Sequence, residues 1–145
     1  GSTVADPAYA QKCKQLIQAS SVLSRRIDLT GSLTFDEVCT AYQGANLFLS
    51  ASSMETYGMA IQEAAASGLP LLLQAGGYSE QHLHSTGKGT LVSNMKALVE
   101  QINEWEKKPQ TWLALQAEAW EQRPRYPTWR ETAQDLLRQL VHFLS

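Results

Sequence analysis

The sequence is short of the features that most quickly narrow a function. Only two cysteines, Cys13 and Cys39, occur in 145 residues. They are too few and too far apart for a zinc site or a disulfide framework, and they read as reduced, buried thiols of a cytosolic protein. Neither sign of charge dominates: 12 Lys and Arg against 14 Asp and Glu leave a net charge of −2. That balance gives no electrostatic footprint for nucleic acid. No apolar run approaches the roughly 20 residues needed to span a bilayer. There is no Gly-x-Gly-x-x-Gly or Walker-type loop, which removes the generic nucleotide-binding fingerprints. Repeats and low-complexity segments are also missing. What is present, 43% hydrophobic and 18% charged residues, describes one soluble globular domain long enough to bury a core. Gly1-Ser2 reads as a cleavage scar left by expression, which leaves residues 3–145 for the fold.

The informative stretch runs from Asn46 to Leu73. Leu47-Phe48-Leu49 and Leu71-Leu72-Leu73 are short apolar runs without polar alternation, which suits parallel strands covered by helices on both faces. Ser50 to Thr56 is polar enough for a surface loop, and Tyr57 to Ser67 is rich in good helix formers. Gly68 can take the left-handed turn that follows a helix, and Pro70 bars continuation. The pattern predicts a βαβ unit whose loop lies at the carboxyl end of a strand, where open α/β sheets bind ligands.

Two acids bracket the junction of loop and helix. Glu55 precedes it and Glu63 lies inside the helix, about 12 Å further on if both were helical. Gly58 sits near the helix start, where a missing side chain lets a ligand approach free backbone N–H groups. Those groups and the helix dipole favour an anion such as phosphate. A carboxylate at position 63 suits sugar hydroxyls better than phosphate. The expected ligand is anionic in the middle and hydroxylated at both ends, which is the shape of a nucleotide-sugar. Taken alone, the two acids read more readily as solvated residues near a helix start.

The segment from Glu55 through Gly58 to Glu63 resembles the Glu-x7-Glu signature of family 4 retaining glycosyltransferases of the GT-B fold. Other motifs follow in the same order. Thr30 to Leu33 looks like that family's glycine turn after a strand. Tyr42, Ala45 and Asn46 match a Tyr-x-x-Ala-Asp lead-in, with Asn in place of Asp, and Ala51-Ser52 stands where Pro-Ser is usual. Gly68-Leu69-Pro70 matches Gly-x-Pro, and Gly76, Gly77 and Glu80 match Gly-Gly-x-x-Glu. Gly87 to Val92 looks like the last strand, and Thr128-Trp129 like the Ser-Trp opening of a terminal helix.

Along the rest of the chain, Asp6 and Pro7 predict the capped start of a helix running to Ala19. Arg26–Leu29 reads as a short strand. Thr34 and Glu37 form a capping box for a helix over 35–43. The glycine pair Gly76-Gly77 is by itself a plain turn; beside a phosphate site it becomes a second wall. Ser79 is expected to cap a short helix through His84, whose two histidines, His82 and His84, point to different faces and read as surface or packing residues. After a strand at Gly89–Val92, Ser93 or Asn94 caps a helix with Met95, Leu98, Val99, Ile102 and Trp105 on one face. Pro109 opens a helix carrying Trp112, Leu115, Ala119 and Trp120. Thr128 and Glu131 suggest a capping box for a last helix with a stripe of Leu136, Leu137, Leu140, Val141 and Leu144. The four tryptophans, at helical spacing, are expected to pack against the sheet.

The resemblance implies a fold and a set of roles. The fold class is α/β, a Rossmann-like parallel sheet flanked by helices, forming part of a GT-B C-terminal domain and followed by C-terminal helices. By resemblance Glu55 would be the catalytic carboxylate, contacting the transferred sugar near its reacting carbon. Glu63 would bind the ribose. Tyr57, Gly58 and Met59 would offer amides to the diphosphate and sugar, Gly31 and Ser32 would line the base, and Gly76 and Gly77 would wall the pocket. The family needs no metal, and no Asp-x-Asp pair is present to hold one; no cofactor is expected beyond the nucleotide-sugar substrate. The family's acceptor-binding N-terminal domain, for a sugar or lipid acceptor, and the first strands of its donor domain have no counterpart here, so these residues alone are expected to be inactive and to bind donor weakly. In the usual 3-2-1-4-5-6 order the two strands normally between Arg26–Leu29 and Leu47–Leu49 are missing, which predicts direct pairing, a loose strand, or self-association through open sheet edges. The implied location is cytoplasmic, with a peripheral place at the inner membrane allowed for a full-length protein. A sugar-nucleotide epimerase of the same fold and a non-catalytic nucleotide-binding or interaction module stand as alternatives.

Overall fold

A computed structural model describes residues 4–86, 88–127 and 129–144 of the chain, with only the backbone for residues 85, 86, 129, 142 and 144. Gly1, Ser2, Gly87 and Thr128, and with them the scar, one motif glycine and one capping box, lie outside the described residues. So do the side chains of Trp129 and Leu144.

The chain divides into two compact units, residues 4–43 and 44–144. The first unit is helical. Helix α1 (Pro7–Gln18) starts as its residues demand: the Asp6 carboxylate accepts the Tyr9 N–H at 2.9 Å and proline fills the first turn. Helix α2 (Phe35–Gly44) opens with the expected reciprocal box. The Thr34 N–H donates to Glu37 Oε2 at 2.7 Å, and the Glu37 N–H donates to Thr34 Oγ1 at 3.4 Å. The bond from the Thr34 amide first, and then one that the Thr34 hydroxyl donates to the same oxygen at 2.8 Å, hold the Glu37 carboxyl below the usual carboxylate range. Between the helices, a 3-10 turn at Leu23–Arg25 gives way to irregular chain. The strand expected at Arg26–Leu29 does not form. A strand satisfies its N–H and C=O groups only against a neighbour, and the sheet of the described residues has three strands, none from this segment.

The second unit is α/β. Its elements are β1 (Phe48–Ser50), α3 (Met59–Ala66), β2 (Leu71–Gln74), α4 (Ser79–Thr86), β3 (Gly89–Val92), α5 (Met95–Lys107), α6 (Pro109–Glu121) and α7 (Trp129–Leu144). The sheet is parallel throughout, in the order β1-β2-β3. Leu72 of the central strand lies opposite Leu49 on one side and Thr90 on the other. Leu71, Leu72 and Leu73 are completely buried, as expected for a strand covered on both faces, and each contributes about 2 kcal/mol of hydrophobic burial. Leu72 packs with Val92, Leu98 and Trp105, and Trp112 and Leu115 close over them. Helices α3 and α4 also pack on the strands, with Ile61, Ala64 and Ala65 buried on α3.

Helix α3 stops where the sequence predicts. Gly68 adopts φ +77°, and a Cβ there would lie 2.6 Å from the Trp120 ring. Trp120 is therefore not a buried sheet-packing residue: it is 58% exposed, caps Gly68 with one edge and stacks under the Arg123 guanidinium at 4.0 Å. Trp105 and Trp112 do pack together, with ring centroids 5.0 Å apart. On α5 only Leu98 and Trp105 are buried, whereas Met95, Val99 and Ile102 stay largely exposed. The stripe on α7 (Leu136, Leu137, Leu140, Val141) is exposed as well. No helix among the described residues is long and apolar enough to cross a membrane.

Candidate functional site

The carboxyl ends of β1 and β2 point into two loops, Ala51–Gly58 and Ala75–Tyr78, and the backbone joins them. Glu55 forms a single parallel bridge with Gly77, and its carbonyl accepts the Tyr78 N–H at 2.8 Å. This join needs both glycines. A Cβ on Gly76 would overlap the Ser53 carbonyl, and one on Gly77, already at φ +57°, would overlap the Glu55 carbonyl. The glycine pair is thus more than a turn: its bare backbone is what lets the two loops touch.

Helix α3 begins two residues later than Tyr57, at Met59. Gly58 is its N-cap, in the left-handed region at φ +63° and ψ +34°. Having no side chain to cap with, Gly58 leaves the first amides of the helix to other partners. Glu55 supplies one. Its Oε1 accepts the Gly58 N–H at 3.1 Å and the Thr56 N–H at 3.2 Å. The carboxylate that precedes the helix therefore sits against the amide where the sequence leads one to expect an external anion. The far side of Gly58 is closed by His82 of α4, since a Cβ on Gly58 would lie 2.5 Å from the imidazole. His82 is half-buried, while His84 is exposed and faces Glu80 at 3.7 Å. Ser79 does not cap α4 through its own helix; its hydroxyl donates to the Gly76 carbonyl at 2.5 Å and ties α4 to the glycine loop.

The structure brings Glu55, Gly58, Gly76 and Gly77 together at one rim of the sheet. Tyr57 and Met59 flank Gly58 with exposed side chains. Glu63 lies on α3 one turn beyond Met59, on the exposed face opposite Ile61. Gly31, at φ +72° with nothing near its missing Cβ, and Ser32 lie in the first unit. Sequence reasoning missed His82 as a neighbour of Gly58; the only local signal was a histidine at a helix position where packing favours an apolar side chain. Gln74, at the end of β2, was also missed, and its Oε1 is buried with no protein partner among the described residues. Among the described residues no cluster of three or more His, Cys, Asp or Glu could hold a metal ion.

The family model described as "Glycosyl transferases group 1" matches residues 3–123. The match covers both units as far as the end of α6. Among curated proteins, none matches the chain.

Proposed function

The chain belongs to the group 1 glycosyl transferases, and from that premise we propose that its second unit holds the nucleoside-diphosphate-sugar donor of a retaining transfer. The observation that carries this reading is the convergence of Glu55, Gly58 and Gly77 at the carboxyl rim of the parallel sheet. An anion placed at the start of α3 meets the positive end of the helix dipole, worth about half an elementary charge. In transfer, the bond from the sugar's anomeric carbon to the diphosphate breaks and negative charge grows on the departing phosphate. Fixed amide donors aimed at that charge lower the barrier without reorganising. Glu55 contacts hydroxyls of the sugar beside the reacting carbon, and Glu63 takes those of the ribose. Gly76 and Gly77 wall the pocket. The reaction proceeds without a metal ion or other cofactor.

The acceptor, a sugar or a lipid, is held elsewhere, so residues 4–144 alone bind donor weakly and do not turn it over. The edge of β1 offers a place for further strands or for a second copy of the chain. The test is an amide-resolved titration with UDP, GDP and ADP. One of the three is expected to shift Thr56, Gly58 and Gly77. If all three leave these amides unmoved, the donor-site reading fails.

A further inference from the structure

Two apolar stripes of the second unit stand open to solvent, and their ends carry opposite charges. On α5, Met95, Val99 and Ile102 are exposed, and Glu106 continues their row, four residues beyond Ile102. This row borders a groove of about 460 Å³ that Ile102 and Glu106 share with Leu47, Trp105, Pro109 and Trp112. On α7, Leu136, Leu137, Leu140 and Val141 are exposed. Arg130 lies seven residues before Leu137, about two turns earlier on the same side of the helix. We propose that the stripes are two halves of one interface between copies of this chain. In it, α7 of each copy lies antiparallel along α5 and the groove of the other. The inference goes beyond the donor-site reading and uses none of its residues.

Contiguous exposed apolar surface marks an interaction site, and here length and charge select the occupant. Met95 to Glu106 and Arg130 to Val141 each cover eleven steps of helix, about 16 Å along the axis. Glu106 ends the α5 row at its carboxyl end, and Arg130 opens the α7 row at its amino end. Among the described residues neither of these side chains has an ion-pair partner. Laid antiparallel, the two rows set Arg130 against Glu106 and bring Leu140 and Val141 to Met95. Laid parallel, they would press the Glu106 carboxylate onto Leu140 and Val141, and a charge covered without a partner is strongly disfavoured. Opposite charge thus fixes the direction, and leucine against the apolar groove supplies the contact. Because each copy offers both halves, a two-fold axis satisfies both at once and closes the assembly as a dimer.

Sedimentation equilibrium of the protein over a concentration series should show that dimer. Leu140→Asp changes an exposed position and should return the protein to a monomer with its circular dichroism unchanged. Glu106→Arg and Arg130→Glu should each raise the dimer Kd at least about tenfold, since each sets like charges together. Combining the two reversals should restore the parent value. A parent that stays monomeric throughout the series overturns the proposal; flotation of that monomer with phosphatidylglycerol vesicles would assign the α7 stripe to a lipid surface instead. A dimer that Leu140→Asp leaves intact, or whose charge reversals do not rescue one another, overturns it too, because the copies then meet elsewhere, as at the edge of β1.

Discussion

Replacing Gly58 with alanine keeps the N–H that an anion would use and adds a single methyl group, so its consequences are steric and separable. The first is local to the chain. At φ +63° a residue with a Cβ loses about 1–2 kcal/mol relative to glycine. The second is packing: the new methyl would stand 2.5 Å from the His82 imidazole, and making room in a filled space costs about 1–3 kcal/mol. Together Gly58→Ala should lower the stability of the second unit by about 2–5 kcal/mol. Urea denaturation followed by tryptophan fluorescence measures this directly. His82→Ala removes the clash and leaves the dihedral strain, so the double variant should recover about 1–3 kcal/mol relative to additivity. Additive effects, within about 0.5 kcal/mol, would show that the ring and Gly58 do not oppose one another.

Three further outcomes are expected. Gly77→Ala places its methyl against the Glu55 carbonyl, a backbone group that no side-chain substitution can remove; diphosphate-induced shifts at Gly58 should disappear, and no His82 variant should restore them. Trp105→Ala removes a buried ring that packs with Leu72, Val92 and Leu98, and calorimetry should register a loss of about 3–5 kcal/mol. The α2 cap should be pH-dependent. Because Glu37 is depressed in the folded state by its bonds from Thr34, its contribution is fully present above the ordinary glutamate value. It is lost as pH falls through the depressed one. Circular dichroism of the parent should therefore show an acid-side loss of helix that Glu37→Gln lacks.

The βαβ unit was legible because each of its signals is local. Three consecutive leucines, a glycine able to take positive φ and a proline two residues later fix β2 and the end of α3 without reference to anything distant. The capping boxes are local too, and Asp6, Asn94 and the Thr34–Glu37 pair sit as expected. Long-range partners were not legible. Arg26–Leu29 has strand composition, yet pairing depends on a neighbour that composition does not specify. Gly58 could be placed near the helix start, but neither its left-handed conformation nor its closure by His82 has a sequence signature. Trp120 looks like a core residue by spacing; its ring instead shields a glycine, which no periodicity predicts. The stripe of α7 has the helical period yet stays exposed among the described residues, because amphipathic spacing records a preference for burial and not its fulfilment.

The one-residue join between Glu55 and Gly77 also has a mechanical meaning. The segment after the first strand and the segment after the second are stapled, so they cannot drift independently. Whatever rests on one transmits its hold to the other through two backbone groups and no side chain. A molecule seated only at the Gly58 amide should therefore slow deuterium uptake at Tyr78, whose N–H hangs on the same staple.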